Sequence, residues 1–436
     1  MIIESLKING FRSLYETVVE PGSFTVLAGA NNAGKTTLAD ALDFLAEVHR
    51  FRLEVALSRK GGFENVAFRR MRRTRRPISL EITAAINLKH HPRVRRRLAT
   101  EYPESLSGPI GEAVITHRFS FKAASSAIAA DFSIVEECIT IGYREDPETA
   151  VEEVASLHRK GAKLSTHAAP EENIPPPLAV MRNFRDEFFP APAEREIQIE
   201  DTVLLTEAFP LSPITREFVS GMSGIRIYQI SPLESRRAGV PTPNPPLERY
   251  GENLPALVDY FRKRAKKSWR SVFTAMQLIV PHLVDISTDF SIDRRLVLQF
   301  KEQGVGRAWN ASEVSDGTIQ SLALFCALFD PRTTLAFIEE PENSVHPWIV
   351  RVFAEACRTA SEQDKQIFVT THSPALLQQA KPSEVKLMWR SEGRSSIASL
   401  LELDPEAGGL WESGDIDVFE LLDSGALRQA VPEGSA

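Results

Sequence analysis

A glycine-rich stretch near the N-terminus restricts the folds available to this chain more than any other feature. The stretch GANNAGKTT covers residues 29–37 and follows the apolar run SFTVLAG, which has the composition of a buried strand. From Lys35 onward the apolar residues recur with helical spacing, which predicts a helix directly after the loop. A strand, a glycine-rich loop and a helix in this order form the phosphate-binding unit of many α/β proteins.

The loop matches the pattern G-x-x-x-x-G-K-[ST], in which each fixed position has a chemical reason. Glycines allow backbone N–H groups to turn toward a phosphate, and the helix N-terminus adds partial positive charge. Lys35 is predicted to reach the β- and γ-phosphates, and the Thr36 hydroxyl is predicted to ligate Mg²⁺. The predicted nucleotide-binding residues are Gly29, Asn31, Asn32, Gly34, Lys35, Thr36 and Thr37.

Two acids end the apolar stretch TTLAFIEEP, which has the length and composition of a buried strand. At the carboxyl end of a parallel strand, Glu339 and Glu340 would point into the crevice where ligands bind. We expect Glu339 to hold Mg²⁺ or its water, and Glu340 to orient the water that attacks a phosphate. The alternative interpretation is a solvent-exposed turn, because Glu-Glu-Pro alone is a common tripeptide.

Two further segments are candidates for contact with the phosphates. His372 follows the apolar stretch IFVT, where an imidazole could contact a γ-phosphate, although a histidine at a strand end is more often structural. Ser315 is a predicted helix N-cap in the segment SDGTIQSLALF, and Gly317 falls in the first turn of that helix. As a local pattern, this second segment indicates helix capping.

The hydrophobic patterns predict an α/β fold with an insertion. Strand and helix patterns alternate from about Leu296, which predicts a mostly parallel core sheet, whereas ISLEITAAINL alternates as antiparallel strands do. The proline-rich stretch PLESRRAGVPTPNPPLERY is interpreted as an extended surface connection. We therefore predict a head built from residues 1–50 and 296–436. Residues 51–295 are predicted to form an inserted lobe with antiparallel strands, proline-rich connections and helices.

The composition favours a cytoplasmic protein without membrane contact. The N-terminus MIIESLKINGFRSL is too polar for a signal peptide, and the longest apolar stretch, SLALFCALF, is too short to span a bilayer. The three cysteines lie far apart, so neither a disulfide framework nor a zinc site is indicated. A formal net charge of −7 argues against a chain that is basic over its whole surface.

Two arginine clusters are candidates for nucleic-acid contact. RRMRRTRR holds six arginines in eight positions, and RVRRR follows at residues 93–97. Such clusters bind phosphate backbones with little regard to sequence, and no aromatic residues interleave them for base stacking. The alternative is a solvated face that pairs with acidic groups of the protein or of a partner. The candidate DNA-binding residues are Arg69, Arg70, Arg72, Arg73, Arg75 and Arg76.

Taken together and in this order, the motifs resemble the ABC-type ATPase heads of the SMC and RecF kind. INGFRSL is similar to the first strand of that family, GANNAGKTT to its Walker A motif and LAFIEEPENSVHP to its Walker B motif. VTTHSP resembles the switch-histidine segment, and VSDGTIQSLAL resembles the signature motif. The resemblance covers roughly residues 1–50 and 230–420, and it is strongest to the stand-alone AAA-family ATPases of bacterial genomes, relatives of the ATPase part of the overcoming-lysogenization family.

The resemblance implies a P-loop fold whose ATP site two copies of the chain complete together. ATP and Mg²⁺ would bind between the Walker A loop of one subunit and the signature residues Ser315 and Gly317 of another. ATP would thus hold together a homodimer or a higher even-numbered oligomer. Glu339 stands where ABC proteins at large have Asp, and it would keep the Mg²⁺ role. Glu340 would activate water, and His372 would be the switch histidine.

Three functions are open from the sequence. In the first, which the resemblance favours, ATP-dependent dimerisation is a switch that regulates a separate effector, such as a nuclease, in anti-phage defence. In the second, the chain is a RecF-like DNA repair ATPase that binds DNA in an ATP-gated manner. In the third, the chain is itself a nuclease with Asp415 and Asp417 as a metal pair, although the short segment after His372 argues against this.

Overall fold

The computed structural model describes most of the chain and divides it into two compact units. The first unit comprises Met1–Pro21, Asp40–Ser223 and Glu392–Ser395, and the second unit comprises Gly22–Ala39, Gly224–Ser391 and Ser396–Ala436. The division into a head and an inserted lobe at residues 50 and 296 stays a prediction. The described residues are 1–68, 76–90, 95–96, 99–100, 110–124, 131–170, 173–175, 177–178, 195–196, 200–208, 213–363, 365–424 and 427.

Strands and helices are both frequent in the described residues. The strands are β1 (Ile2–Asn9), β2 (Thr17–Val19), β3 (Phe24–Ala28), β4 (Ile78–Asn87), β5 (Glu112–Ala123), β6 (Phe132–Arg144), β7 (Glu152–Lys160), β8 (Lys163–Ala168), β9 (Arg195–Glu196), β10 (Ile225–Tyr228), β11 (Leu283–Phe290), β12 (Leu296–Glu302), β13 (Trp309–Asn310), β14 (Leu335–Glu339), β15 (Gln366–Thr370), β16 (Val385–Ser391) and β17 (Arg394–Ser399). The helices are α1 (Lys35–Phe51), α2 (Leu53–Arg59), α3 (Phe63–Val66), α4 (Leu205–Ala208), α5 (Pro213–Met222), α6 (Pro232–Ser235), α7 (Leu254–Arg264), α8 (Lys266–Ile279), α9 (Asp316–Phe329), α10 (Pro347–Ser361), α11 (Pro374–Leu377), α12 (Leu400–Leu403), α13 (Ala407–Glu412) and α14 (Val418–Asp423).

The first unit is built on an antiparallel sheet with the strand order β2-β1-β4-β5-β6-β7-β8-β9. Along β4 the side chains of Ile78, Leu80 and Ile82 are buried, and the residues between them are partly exposed. This alternation is the one that the sequence predicts for a strand with one buried face. Helix α5 packs against β4 and β5.

A buried chain of polar side chains lies within the first unit. Nδ1 of His49 lies 2.8 Å from the carbonyl oxygen of Leu45, so it carries the proton, and Nε2 of His49 accepts from Nδ1 of His117 at 3.1 Å. Nε2 of His117 lies 2.9 Å from one carboxylate oxygen of Glu137, whose other oxygen accepts the N–H of Leu205 at 2.8 Å. At this distance, one proton must lie between His117 and Glu137.

The second unit is built on a sheet with the strand order β10-β14-β15-β3-β16-β17. The pairs β10–β14, β14–β15, β15–β3 and β3–β16 are parallel. Every residue of β3, β14 and β15 is buried, as expected for parallel strands that are covered on both faces. Because the carboxyl ends of parallel strands meet at one edge, the segments after these three strands line the same edge of the sheet.

Helices and a small sheet complete the second unit. Helix α9 packs against α8 and α10, and β11, β12 and β13 form a three-stranded antiparallel sheet. The prediction of a mixed α/β fold is therefore confirmed. In the described part of the chain, no helix combines the length and the apolar character that a membrane crossing requires.

Candidate nucleotide-binding site

The glycine-rich loop leaves β3 at Ala28 and enters α1 at Lys35. Gly29 (φ 143°), Asn32 (φ 69°) and Gly34 (φ 114°) have backbone conformations that glycine and asparagine adopt more easily than other residues. A Cβ on Gly29 would lie 2.0 Å from the carbonyl oxygen of Met388 in β16. The loop thus lies backbone to backbone against β16, and only glycine fits at position 29.

The remaining loop residues leave one face of the loop open to solvent. Asn31, Asn32 and Thr36 are exposed, Thr37 is half-buried, and the side-chain oxygen of Asn32 accepts a 2.8 Å hydrogen bond from Arg390. Backbone N–H groups in the first turn of α1 have no partner within the helix, and they carry the positive end of the helix dipole. This open face fits a polyphosphate.

The Lys35 side chain is buried and its ammonium group contacts three acceptors. Nζ donates to the carbonyl oxygens of Gly29 at 2.6 Å and Ala30 at 3.2 Å, and to Nε2 of His372 at 2.8 Å. Since Nε2 of His372 accepts, the imidazole is neutral with its proton on Nδ1. The structure therefore brings together two residues that the sequence assigned separately to the phosphates.

The environment of Lys35 makes its charged form less favourable than it is in water. Burial lowers the pKa of Lys35 to about 8, although the carboxylates of Glu340 and Glu342 oppose this shift. Burial, together with the charge of Lys35, also lowers the pKa of His372. Both pKa shifts reflect the burial of positive charge, and the negative charge of a bound phosphate would oppose them.

The predicted magnesium ligands contact each other directly. The Thr36 hydroxyl donates to Oε2 of Glu339 at 2.9 Å, and this carboxylate is only 8% exposed. Oε1 of Glu339 accepts a 2.8 Å hydrogen bond from Nη2 of Arg249. A carboxylate and a hydroxyl oxygen are ligands that suit Mg²⁺, so Thr36 and Glu339 fit the role predicted for them.

Glu340 lies at the exposed end of the same strand, in an unusual backbone conformation. Its φ angle is 46°, and its N–H donates to the carbonyl oxygen of Thr370 at 3.0 Å. Its carboxylate accepts a 3.1 Å hydrogen bond from the side-chain amide of Asn343 and is otherwise open to solvent. Non-glycine residues rarely adopt this conformation, and when they do it is often at functional sites.

Glu342 contacts the histidine segment. One of its carboxylate oxygens accepts from the Thr371 hydroxyl at 2.6 Å and from the backbone N–H of His372 at 3.1 Å. The other oxygen is buried without a hydrogen-bond partner among the described residues. Glu342 therefore positions His372 and brings a further negative charge close to Lys35.

Ser315 and Gly317 lie at the N-terminus of α9. The Ser315 hydroxyl accepts from the N–H of Thr318 at 3.2 Å, which makes it the N-cap that the local pattern predicts. Ser315 is exposed, and a Cβ on Gly317 would lie 3.2 Å from the carbonyl oxygen of Ser344. The helix start is thus packed closely on one side and open on the other.

Arg236 fixes the segment that precedes α9. Its guanidinium group donates to the carbonyl oxygens of Ala311 at 2.9 Å and Val314 at 2.6 Å, and it pairs with the carboxylate of Asp316. Three contacts from one side chain hold the backbone on which Ser315 is presented.

Sequence reasoning missed three residues of this site, namely Arg236, Arg249 and Glu342. Arg236 and Arg249 lie in the proline-rich stretch of residues 232–250, which we interpreted as a surface connection. That interpretation was wrong for part of the stretch, because it contains α6 and the buried Leu247. Glu342 lies within LAFIEEPENSVHP, which resembles the Walker B motif, but that resemblance gave Glu342 no role of its own.

The two arginine clusters lie mostly outside the described residues. Five arginines of the first cluster lie outside the described residues, namely Arg69, Arg70, Arg72, Arg73 and Arg75. Their predicted contact with DNA stays a prediction. Arg76 is exposed and donates to the Tyr15 hydroxyl at 3.3 Å, and Arg95 and Arg96 of the second cluster are also exposed.

The acids proposed for a nuclease have local roles. Asp417 caps α14 by accepting from the N–H of Glu420, and Asp415 accepts from the Ser413 hydroxyl at 2.6 Å. Over the described ranges of the chain, no three His, Cys, Asp or Glu side chains are grouped as metal ligands.

The edge of the parallel sheet therefore combines a lysine on a glycine-rich loop, a hydroxyl paired with a buried carboxylate, an exposed carboxylate and a neutral histidine. This combination defines the class of protein: a P-loop nucleoside triphosphatase. Residues 1–202 match the family model described as "AAA ATPase domain", and residues 215–378 match the model described as "AAA domain, putative AbiEii toxin, Type IV TA system". Both matches are to models of AAA ATPases, so the resemblance to this kind of ATPase head is confirmed, and so is the general prediction of an ATP-hydrolysing enzyme.

Three solved structures of SMC heads align with most of the chain at low sequence identity. A complex described as the SmcHead bound to the C-winged helix domain of ScpA has 13% identity and a TM-score of 0.47, covering 91% of this chain and 97% of that chain. The SMC head domain from Thermotoga maritima has 14% identity and a TM-score of 0.41, covering 92% and 99%. A Smc head domain with an extended coiled coil, bound to the C-terminal domain of ScpA derived from Pyrococcus furiosus, has 13% identity and a TM-score of 0.45, covering 95% and 100%. No curated protein matches the chain.

Proposed function

We propose that this chain binds and hydrolyses ATP with Mg²⁺ and that ATP closes a homodimer of heads, which acts as a switch for a separate effector. The observation that carries the catalytic part is the pair of contacts at the sheet edge, Lys35 with His372 and Thr36 with Glu339. Four predicted site residues from three distant parts of the chain meet there.

Each residue has a role that follows from its surroundings. Lys35 exchanges its carbonyl and imidazole acceptors for phosphate oxygens, and the anion restores its full charge. Thr36 and Glu339 would hold Mg²⁺, which neutralises phosphate charge when bound. Glu340 is free to accept a proton from water at the exposed end of the strand. His372 stays neutral and is oriented by Glu342.

The dimer part of the proposal depends on the signature segment. Ser315 lies on an exposed helix N-terminus, a position that can donate backbone N–H groups to a phosphate. Among the residues that the structure describes, no hydrogen bond or ion pair joins Ser315 or Gly317 to the loop at residues 29–37. This supports a site in which Ser315 and Gly317 act on the nucleotide of a second copy.

The biological role is proposed from the description of the second family model. That description names a toxin and a type IV TA system, which supports control of a toxic effector, such as a nuclease, in anti-phage defence. A RecF-like DNA repair ATPase is the second candidate, and the exposed positions of Arg76, Arg95 and Arg96 favour it. We propose a cytoplasmic location for either role.

Mass measurement with a hydrolysis-deficient variant tests the proposed switch. Glu340→Gln should keep ATP bound, so that light scattering gives a monomer without nucleotide and a dimer with ATP and Mg²⁺. The matched control is Glu362→Gln, which changes an exposed acid elsewhere on the second unit and should form the dimer only transiently. Ser315→Arg should still bind nucleotide but stay monomeric.

Two outcomes would count against the proposal. If Glu340→Gln stays monomeric with ATP bound, the proposed dimer switch is wrong, and the protein is better described as a monomeric ATPase. If the dimer forms and ATP strongly raises its affinity for duplex DNA, the RecF-like role replaces the effector switch. Replacing the arginines at 69–76 with alanine should then flatten the salt dependence of DNA binding.

A further inference from the structure

Both oxygens of the Glu339 carboxylate are occupied by groups of the chain itself. Oε2 accepts from the Thr36 hydroxyl, and Oε1 accepts from the guanidinium of Arg249 at 2.8 Å. The Arg249 side chain is 27% exposed and Glu339 is 8% exposed, so this is a largely buried ion pair. A buried carboxylate needs such a counter-charge, because its desolvation is otherwise costly.

The guanidinium group and a divalent cation compete for the same carboxylate. The positive charge of Arg249 compensates Glu339 in the protein without nucleotide, and a cation on Glu339 would make that compensation unnecessary. With both present, two positive charges would face one buried carboxylate, which is electrostatically unfavourable. The Arg249–Glu339 contact should therefore weaken or break when Glu339 becomes a metal ligand.

The backbone around Arg249 is tied to the segment that leads into α6. The carbonyl oxygen of Arg249 accepts from the N–H of Gln229 at 2.8 Å, and that of Tyr250 accepts from the N–H of Ser231 at 3.1 Å. Ser231 is also the N-cap of α6. A shift of Arg249 would therefore be transmitted to residues 229–231 and to the helix that starts there.

The C-terminal end of α6 is tied to the signature segment. Arg236 follows α6 directly and holds Ala311, Val314 and Asp316 through the contacts described above. A continuous series of hydrogen bonds and covalent links thus joins Glu339 to the backbone that presents Ser315, entirely within the second unit.

We propose that Arg249 is a counter-ion that releases Glu339 when this carboxylate binds a divalent cation. Residues 229–236 then transmit the change through Arg236 to the signature segment, residues 311–316. The proposal rests on the proposed role of Glu339 at the nucleotide site. According to the proposal, the position in which one copy of the chain offers Ser315 to a second copy depends on whether the first copy's own metal site is occupied.

The first test measures competition at Glu339 by equilibrium binding of a fluorescent ATP analogue over a range of Mg²⁺ concentrations. Arg249→Gln should shift the half-saturating Mg²⁺ concentration several-fold lower, because a competing positive charge is removed. Arg237→Gln is the matched control, since Arg237 is exposed and pairs only with the nearby Glu234 among the described residues. It should leave the Mg²⁺ dependence unchanged.

The second test measures the coupling by hydrogen–deuterium exchange at residues 311–314. The Ser315→Arg variant is used as background, with its monomeric mass verified, so that dimer contacts do not protect these residues. Addition of nucleotide with Mg²⁺ should change exchange in this segment, compared with nucleotide and chelator. Arg236→Gln and Arg249→Gln should each abolish that difference, whereas Arg237→Gln should keep it.

Failure of the inference and failure of the proposed function have different signatures. If the unmodified protein binds no nucleotide, or binds it independently of Mg²⁺, the proposed function is wrong. If Mg²⁺-dependent binding is intact but Arg249→Gln leaves its midpoint unchanged or raises it, Arg249 is not a competing counter-ion. If the midpoint falls but exchange at 311–314 does not respond to the metal, the link through Arg236 is wrong.

Discussion

Nζ of Lys35 donates a 2.8 Å hydrogen bond to Nε2 of His372, so two basic groups face each other with a single proton between them. Because burial lowers the pKa of both groups, the pair holds less positive charge than a lysine and a histidine would on the surface. A phosphate bound at the loop would favour the charged form of the lysine. Nucleotide binding and proton uptake should therefore be linked.

We expect the protein to take up protons when it binds ATP near pH 8. With a pKa of about 8, Lys35 is about half protonated there without nucleotide, so binding should draw in about half a proton per site. Calorimetry in two buffers with different ionisation enthalpies measures this number. The uptake should fall at pH 7, where the lysine is already mostly charged; an uptake that is equal at pH 7 and pH 8 would contradict the linkage.

Glu342→Gln should move this linkage to lower pH. The charge of Glu342 raises the pKa of Lys35, so its removal should lower the pH at which uptake is half complete. The oxygen of a glutamine can still accept from the Thr371 hydroxyl and the His372 N–H, which keeps the segment in place. Glu362→Gln is the matched surface control, and an identical pH midpoint in both variants would exclude an electrostatic role for Glu342.

Gly29→Ala should abolish tight nucleotide binding. The added methyl group would overlap the Met388 carbonyl oxygen, and the backbone at position 29 is left-handed, so the loop must move. We expect affinity for ATP to fall by at least about tenfold and the free energy of unfolding to fall by about 1–3 kcal/mol. Gly409→Ala in α13 is the control, because nothing lies within 4 Å of its added Cβ; equal effects of the two changes would refute the close approach.

The first unit should lose stability in mild acid. Burial and the neighbouring His117 lower the pKa of His49 to about 3, against 6.5 in the unfolded chain. Between these values the unfolded chain binds a proton that the folded unit does not, so the stabilisation present above pH 6.5 is lost as the pH falls toward 3. At pH 5.5 the loss in the free energy of unfolding should be about 1 kcal/mol. Urea unfolding at pH 7.5 and pH 5.5 measures it, and His49→Gln should reduce the difference; His282→Gln, an exposed site, should not.

The sequence predicts those parts of the site that depend on short-range features, namely the spacing of the loop residues and the apolar runs of single strands. The spacing of Gly29, Gly34 and Lys35 is dictated by one loop, and short, wholly apolar runs mark β14 and β15 before Glu339 and His372. Glu339 and His372 lie at or just after the carboxyl ends of these strands. If the strands are parallel, both residues are expected at the same edge of the sheet.

Other parts of the site depend on contacts between distant segments. Arg249 reaches Glu339 across 90 residues of sequence, from a stretch whose prolines indicate only an extended chain. The pairing of β1 is likewise not predictable from local pattern. β1 precedes the phosphate loop in the chain, yet it pairs with β4 in the antiparallel sheet. Pairing partners and ion pairs of this kind are chosen by tertiary packing, which has no periodic signature in the sequence.

Strand β3 carries the phosphate loop, yet both of its neighbours in the sheet, β15 and β16, are formed more than 330 residues later in the chain, as the separation of 337 residues between Lys35 and His372 illustrates. On the ribosome, the loop therefore emerges long before the strands that hold it in place. ATP capture should therefore wait until β15 and β16 have been synthesised, because the loop lacks both neighbouring strands before then.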